Sequence, residues 1–226
     1  MRPSKSVETK AKLFEGVAAI ASTFGSPARL KILQILAQAP RSVEFVAGIT
    51  GESVANTSQH LRRLFAEGMV AVRKDGLSRI YRLGDESIAL ILESLFDLAE
   101  KISPASRLAQ STLIEGDVGK AVEFSSVIEE LRNKKAVMLD VRDIYEVNES
   151  PVLGAVSLPM NMLKQQAKLL EKNKTYYIFC RGRSCEMATE GVRILRSLGL
   201  SAYRIKESPA SIRRIIQPQQ KKEIGV

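Results

Sequence analysis

The spacing of apolar residues changes once along the chain, and this change limits the fold more than any other feature. In the first half, apolar residues recur at helical spacing, as in the series Leu13, Val17 and Ala21. In the second half, short apolar runs typical of buried strands alternate with amphipathic helical segments. Two domains are the natural expectation for 226 residues, and the change of pattern places the boundary between them.

The predicted parts are a mainly α-helical domain at residues 8–102, a linker at 103–119, an α/β domain at 120–212 and a frayed polar tail at 213–226. The linker interpretation rests on the segment "SPASRLAQSTLIEGDVG", which is rich in small and polar residues and has no sustained periodicity.

In the first half, the sequence predicts helices followed by a two-stranded hairpin. Pro27 suits the first turn of a helix, Gly51 breaks the chain between two helices, and Ser53 is a plausible N-cap. The runs "MVAVRK" and "SRIYRL" are joined by the dipeptide Asp75-Gly76, which is typical of hairpin turns. Three helices with a short break before the third, and then a hairpin, describe a winged helix-turn-helix.

A further helix is predicted after the hairpin. Its apolar face consists of Ile88, Ile91, Leu92, Leu95, Ala99 and Ile102. This face is too long to cover only a small three-helix core, so we expect it to form the surface of a homodimer, joined by the first helix. Burial of this face against the second domain is the alternative.

In the second half, the runs "AVMLDV", "YYIFC" and "SAYRI" are strand candidates. Ser126 and Glu129 have the spacing of a helical capping box, and Gly199 has the position of a helix C-cap. Strands alternating with helices predict a small α/β domain with a parallel sheet.

The formal net charge of +9 indicates an anionic partner, and nucleic acid is favoured over membrane. Between Ser53 and Arg82 there are six basic residues against two acidic ones. No apolar stretch is long enough to span a bilayer, and no export signal is recognised at the N-terminus. With only two cysteines, we expect a reactive thiol pair in the reducing cytoplasm.

The segments "PARLKIL" (27–33) and "SQHLRRL" (58–64), followed by Glu67-Gly68 and the Asp75-Gly76 wing, resemble the ArsR-type family of small dimeric repressors. The resemblance covers residues 10–102 and implies binding of double-stranded DNA. Members of that family often sense metals through cysteines at the start of the third helix, where this chain has Ser42 and Glu44. With two cysteines and one histidine in the whole chain, a thiolate-rich metal site is excluded, and we expect neither a metal nor a cofactor.

The recognition helix of such a domain offers side chains from its first turns to base edges, while basic residues meet phosphates. His60 could contact a base, contact the backbone or pack internally; a backbone contact is the expectation. The expected DNA-binding residues are Val54, Ala55, Asn56, Ser58, Gln59, His60, Arg62, Arg63, Arg73, Lys74 and Arg79.

Both cysteines lie in the stretch "IFCRGRSCEMA", at the end of an apolar run and before a helix. Loop amides and a helix N-terminus would favour the thiolate of Cys180, so we expect that thiol to have a lowered pKa. Gly182 lets the loop curl, and Arg181 and Arg183 add positive charge. Cys185 is either a resolving thiol for Cys180 or a small packing residue.

This loop, with "DVR" at 140–142 and "GAVSLP" at 154–159, is similar to a single rhodanese domain over residues 120–212. The resemblance implies that Cys180 takes up sulfane sulfur as a persulfide. The supporting residues would be Asp140, Arg142, Arg181, Gly182, Arg183, Ser184 and Cys185. A phosphatase of the same fold is disfavoured, because it needs an arginine six positions after the cysteine, where this chain has Glu186.

Together the two halves predict a DNA-binding transcriptional regulator, expected to be a repressor, that senses reactive sulfur or redox state through Cys180. The small-molecule signal would be a sulfur donor or an oxidant. A sulfurtransferase with an accessory DNA-binding half is one alternative. A thiol-independent repressor whose second domain recruits a partner is the other.

Overall fold

A computed structural model describes the backbone of residues 5–223 and the side chains of residues 6–217. The chain divides into two compact units, Met1–Leu92 and Glu93–Val226. In chain order the elements of the first unit are α1 (Lys5–Thr23), α2 (Pro27–Leu36), β1 (Arg41–Ser42), α3 (Val43–Thr50), α4 (Val54–Ala66), β2 (Val70–Asp75) and β3 (Ser78–Leu83).

The ends of α3 and α4 are set by side chains that the sequence analysis identified. The Ser53 hydroxyl accepts a hydrogen bond from the amide of Asn56 at 3.1 Å, which satisfies one of the free amides at the start of α4. Gly51 has φ 73°, a left-handed conformation that ends α3 without the steric cost of a side chain. The break between the two helices is therefore fixed by local chemistry.

The core of this unit lies between α2 and α4. Ile32 and Leu33 of α2 and Leu61 and Leu64 of α4 have no solvent-exposed surface. Complete burial of an aliphatic side chain stabilises by about 1.5–3 kcal/mol, so these four side chains hold the two helices together. The three-stranded antiparallel sheet has the order β1-β3-β2, and its β2–β3 hairpin pairs Asp75 with Ser78. The winged helix-turn-helix prediction is confirmed.

Helix α5 (Ser87–Ile102) begins in the first unit and ends in the second. Ile88, Ala89 and Leu92 are buried. The remaining large apolar side chains of α5 that are exposed are Ile91, Leu95, Leu98 and Ile102. The expectation that Leu92 belongs to an exposed dimer face is wrong, because only 5% of this residue is exposed.

The second unit continues with α6 (Pro104–Ile114), α7 (Phe124–Arg132), β4 (Ala136–Asp140), α8 (Ile144–Glu149), β5 (Ala155–Ser157), α9 (Met160–Gln166), β6 (Thr175–Phe179), α10 (Met187–Ser197), β7 (Ser201–Arg204) and α11 (Pro209–Glu223). Its four strands form a parallel sheet in the order β5-β4-β6-β7.

Both faces of this sheet are covered, as a parallel sheet requires. Along β6, Ile178 packs into one buried cluster with Val192 and Leu195 of α10, while Phe179 packs into the opposite one. Alternation along the strand therefore supplies two cores, and it places Cys180, the next residue, in the first of them. The prediction of an α/β domain with a parallel sheet is confirmed.

Some local expectations differ from the structure. The prediction of a capping box at Ser126 and Glu129 is wrong, because α7 begins at Phe124. The Ser126 hydroxyl instead donates to the carbonyl of Glu123 at 2.7 Å. Strand β5 was not predicted, because three residues are too few to show a period. Helix α11 extends to Glu223, so residues 213–223 of the predicted tail are helical, and residues 224–226 lie outside the described part of the chain.

The segment at 103–119, interpreted as a linker, contains helix α6. The Ser103 hydroxyl accepts a hydrogen bond from the amide of Ser106, and Pro104 occupies the first turn. Only Ile114 of this helix is buried, so the sequence lacks the apolar stripe by which an amphipathic helix is recognised. The predicted domain limits themselves stay a prediction.

Candidate functional site

Helix α4 presents most of the predicted DNA-reading residues to solvent. Val54, Ala55 and Gln59 are exposed, and Arg62 and Arg63 are exposed farther along the helix. The other three, Asn56, Ser58 and His60, are half-buried. The opposite face is anchored by buried Leu61 and Leu64, so the orientation of the polar face is fixed by the core.

Asn56 is held by a neighbour that the sequence analysis did not consider. Its side-chain amide donates a hydrogen bond to the carboxylate of Glu52 at 2.6 Å. Because the same amide would be needed to read an adenine edge, the predicted base contact of Asn56 requires this bond to break.

The hairpin carries the remaining basic residues. Arg73, Lys74 and Arg79 are all exposed, and Leu77 at the tip is fully exposed. Arg73 forms an ion pair with Asp75 at 3.2 Å, and both side chains are more than half exposed. Exposed pairs of this kind contribute about 0–1 kcal/mol, so phosphate can displace Asp75 at little cost.

Arg29, in the segment "PARLKIL", has a structural role. Its side chain donates to the carbonyls of Thr23 at 2.7 Å and Ser22 at 2.9 Å, and only 8% of the residue is exposed. These carbonyls belong to the last turn of α1, where the helix has no partners of its own for them. Arg29 therefore caps α1 and is not available to DNA.

The loop from Cys180 to Cys185 follows β6 directly. Gly182 has φ 104°, and a Cβ at that position would lie 3.0 Å from the Cβ of Ser208. The loop therefore requires glycine for its backbone conformation as well as for space. Ser184 is exposed at the outer side of the loop.

Arg204, the last residue of β7, fixes this loop by hydrogen bonds to its carbonyls. One of its Nη atoms donates to the carbonyl of Cys185 at 2.8 Å and to the hydroxyl of Thr189 at 2.9 Å, and the other donates to the carbonyl of Gly182 at 2.9 Å. Only 3% of Arg204 is exposed. The sequence analysis missed this residue, because nothing in "SAYRI" distinguishes a buried arginine from an exposed one.

The two thiols lie together but in different surroundings. Cys180 is 2% exposed, and its Sγ lies 3.4 Å from the carbonyl oxygen of Cys185. Burial, and then the neighbouring Cys185, raise the pKa of the Cys180 thiol well above its ordinary value. Cys185 is half-buried, and a hydrogen bond from the Cys180 thiol lowers its pKa to about 6.

The expectation that Cys180 carries the lowered pKa is therefore wrong in this structure. Besides the Cys180 thiol, the backbone amides of Met187 and Arg181 and the charge of Arg181 favour the thiolate of Cys185. Backbone amides do favour a thiolate in this loop, as predicted, but those of Met187 and Arg181 act on the sulfur of Cys185. The raised pKa of Cys180 and the lowered pKa of Cys185 favour a thiolate at Cys185 beside a thiol at Cys180.

The arginines of the loop are both paired with carboxylates. Arg181 donates through Nε to the two carboxylate oxygens of Glu146 at 2.9 and 3.0 Å, and it lies 3.6 Å from Asp143. Arg183 is 4% exposed at its side chain and forms ion pairs with Glu93, Asp97 and Glu100. Their charge is thus largely compensated, which limits the positive field that was expected for a bound anion.

Asp140 and Arg142 form a buried ion pair at the end of β4. The two residues are 1% and 0% exposed, and Nη2 of Arg142 lies 2.7 Å from the Asp140 carboxylate. Arg142 also donates to the carbonyl of Ser150 at 2.8 Å, which fixes the loop after α8. These contacts are structural, and a supporting role in sulfur chemistry stays a prediction.

Among the side chains that the structure describes, no group of three or more histidine, cysteine, aspartate or glutamate residues could hold a metal ion. Within residues 5–223, no helix has both the length and the apolar character needed to cross a membrane.

Comparisons with known proteins identify both halves. Residues 26–72 match the family described as bacterial regulatory protein, arsR family, and residues 124–208 match the rhodanese-like domain. The chain is 30% identical over 204 residues to the HTH-type transcriptional regulator Rv0324 of Mycobacterium tuberculosis, covering 88% of each chain. It is 34% identical over 82 residues to the HTH-type transcriptional regulator YgaV of Escherichia coli, covering 36% of this chain and 83% of the relative.

A solved structure is also similar. The winged helix-turn-helix domain of Mb0332 from Mycobacterium bovis, described as homodimeric and DNA-binding, has 30% identity and a TM-score of 0.42. It covers 46% of this chain and 95% of its own.

The two thiols are expected to differ in their rates of alkylation. Because its pKa is lowered to about 6, Cys185 is a thiolate above that pH, and its rate with iodoacetamide should rise through about pH 6 and then level off. Cys180 should react slowly throughout, since burial keeps it protonated. Peptide mapping after timed alkylation at a series of pH values measures both rates.

The matched control is Cys180→Ala, which removes the hydrogen bond to the Cys185 thiolate and should move the midpoint of Cys185 upward, toward the ordinary thiol value of about 8.5. Faster labelling of Cys180 than of Cys185, or an unchanged midpoint in Cys180→Ala, would contradict the assignment.

Proposed function

The chain belongs to the ArsR family of DNA-binding transcriptional regulators and carries a rhodanese-like domain, and on this premise we propose that the Cys180–Cys185 pair senses reactive sulfur. The observation that carries the proposal is the proximity of two free cysteines at the ends of one short loop, with the Sγ of Cys180 3.4 Å from the carbonyl oxygen of Cys185. A thiolate that attacks a donor leaves a modified sulfur beside a second thiol that can resolve it.

The signal proposed is an inorganic polysulfide. The Cys185 thiolate attacks a sulfane sulfur of the polysulfide, a sulfur–sulfur bond of the donor breaks, and a polysulfide one sulfur shorter leaves as an anion. The Cys180 thiol then loses its proton and attacks the Cys185 sulfur, forming the Cys180–Cys185 disulfide and releasing hydrosulfide. The two cysteines are oxidised and the sulfane sulfur is reduced, so no other oxidant is needed.

This order of events differs from the one that the rhodanese resemblance implies, in which Cys180 carries the persulfide. The lowered pKa and greater exposure of Cys185 support its attack on the donor. Cys180 is needed in either order, because a bridge cannot form without it.

A sulfurtransferase that repeatedly passes sulfur to an external acceptor is less well supported. If the persulfide formed on Cys180, as in a rhodanese, an acceptor could hardly reach it, because Cys180 is only 2% exposed. A resolving thiol in the same loop would also intercept the persulfide before transfer.

We assign DNA contact to the exposed face of α4 and to the hairpin, and dimer contact to exposed apolar residues of α1 and α5. In α1 the exposed fractions of Leu13, Phe14 and Val17 are all above one half. In α5 half of Leu98 and over a third of Leu95 are exposed. Two helices with unpartnered apolar faces fit a second copy of this chain, which would also match a pseudo-palindromic DNA site.

The DNA surface is tested by charge reversal. Arg62→Glu with Arg63→Glu should weaken binding to every duplex and reduce the salt slope by about 2, since two phosphate contacts are lost. Gln59→Ala should change sequence preference while leaving the slope intact. The matched control is Lys168→Glu with Lys172→Glu, which reverses two exposed lysines of the second unit. Binding isotherms at several salt concentrations that show equal losses for both pairs would reject the assignment.

The dimer is tested at α5. Leu95→Glu with Leu98→Glu should place charges in an apolar interface and convert a particle of twice 24.9 kDa into a monomer. Leu169→Glu, at a residue that is 85% exposed outside α5, is the control and should leave the dimer intact. Light scattering at micromolar concentration measures the mass, and a monomeric wild-type protein would contradict the proposal.

The sensing proposal is tested by DNA binding before and after treatment with polysulfide. Wild-type protein should lose the mass of two hydrogens on bridging and change its DNA affinity by roughly 5–150-fold, the range of ordinary allosteric coupling. Cys185→Ser should not change its affinity, because it forms no bridge, and Cys180→Ser should stop at a persulfide with a mass gain of one sulfur. A full response in either variant would remove the bridge from the mechanism.

A further inference from the structure

Arg183, in the middle of the Cys180–Cys185 loop, is tied to three carboxylates of helix α5. Its Nε lies 3.5 Å from Glu93, its Nη1 lies 2.5 Å from Glu100, and its Nη2 pairs with Asp97. The spacing of four and three residues puts all three carboxylates on one face of the helix. These residues belong to the second unit, and the arginine side chain is 4% exposed.

Asp97 and Glu100 depend on this arginine more than Glu93 does, because the hydroxyl and the amide of Ser208 also donate hydrogen bonds to Glu93. Among the ion pairs of this cluster, Glu100 also lies 3.7 Å from Lys206, whereas Glu93 and Asp97 pair with Arg183. Like charges three and four residues apart destabilise a helix. If Arg183 moved away, three carboxylates would face one another along the last turns of α5, where Lys206 lies 3.7 Å from Glu100 and Arg107 binds the carbonyl of Glu100 at 3.0 Å.

Formation of the bridge changes the contacts of the loop that carries Arg183. It removes the proton of the Cys180 thiol, whose Sγ lies 3.4 Å from the carbonyl oxygen of Cys185, and it places the two sulfurs about 2.05 Å apart. On one side, Arg204 of β7 donates hydrogen bonds to the loop carbonyls and is 3% exposed. On the other side, Asp97 and Glu100 have side chains that are 41% and 33% exposed.

The more exposed contact is the one that yields at lower cost, because water can replace it. From this geometry we infer that sulfur bridging pulls Arg183 out of the Glu93–Asp97–Glu100 cluster and thereby loosens the C-terminal half of α5. The inference rests on the proposed function and gives it a route and a direction. Because α5 also carries Leu95 and Leu98, which we assign to the dimer face, the bridged protein binds DNA more weakly than the reduced protein.

The test neutralises two of the carboxylates and leaves both cysteines and the loop unchanged. In Asp97→Asn with Glu100→Gln, polysulfide should still form the bridge, as read by intact mass, and the reduced protein should bind DNA as the wild type does. The loss of affinity on bridging should fall from roughly 5–150-fold to less than about twofold, since neutral side chains do not repel one another.

The matched control is Asp117→Asn with Glu190→Gln. These two carboxylates pair with Arg193 at 2.7 and 3.1 Å and are 69% and 48% exposed, so they offer the same chemistry away from the loop. This variant should keep the full response. If the Asp97 and Glu100 double variant does not fold, Glu100→Gln alone should lose part of the response while bridging normally.

The outcomes separate the inference from the proposal beneath it. A wild-type protein that bridges with no change in DNA affinity would overturn both. A wild-type response that persists in full in the double variant, or in Glu100→Gln alone, would overturn the α5 route and leave sensing intact. Tighter DNA binding after bridging would overturn the direction.

Discussion

Arg204 sets the conformation of the loop on which the chemistry of the second domain depends. Removing a guanidinium from water costs several kcal/mol, and hydrogen bonds from a charged donor return about 1.5–3 kcal/mol each. Arg204 therefore keeps its bonds to the carbonyls of Gly182 and Cys185 only while the loop holds this shape. The left-handed backbone of Gly182 makes the shape accessible.

With the loop held in this way, the two thiols differ in burial and in pKa. Cys180 continues the line of β6 into the core and stays protonated, whereas Cys185 lies at the start of α10, where two amides and the Cys180 thiol favour its charge. In the proposed mechanism this difference makes Cys185 the nucleophile and Cys180 the resolving thiol. Arg183 connects the same loop to α5 through ion pairs with Asp97 and Glu100.

The sequence was sufficient for the two folds and for the location of the reactive loop. Capping serines, Gly51 and the Asp75-Gly76 turn act locally, so the recognition helix and the hairpin could be predicted from short segments. The carboxyl end of β6 was likewise visible as an apolar run ending in a cysteine. These features depend on neighbours within a few residues along the chain.

What could not be predicted depends on contacts between distant residues. Arg204 lies 19 and more residues after the carbonyls it binds, and Glu93 to Glu100 lie over 80 residues before Arg183. The pKa order of the two cysteines also follows from burial in the core, which a strand-end position alone does not decide. Helix α6 was missed for the opposite reason, since it buries too little to leave a periodic pattern.

The central claim is that the sulfur chemistry of the loop alters helix α5, and hydrogen–deuterium exchange of the amides of residues 93–102 tests it without involving DNA. Once intact mass shows complete bridging of Cys180 to Cys185, these amides should exchange faster than in the reduced protein, while those of α4 stay unchanged. Equal exchange over residues 93–102 in the two states would contradict the account.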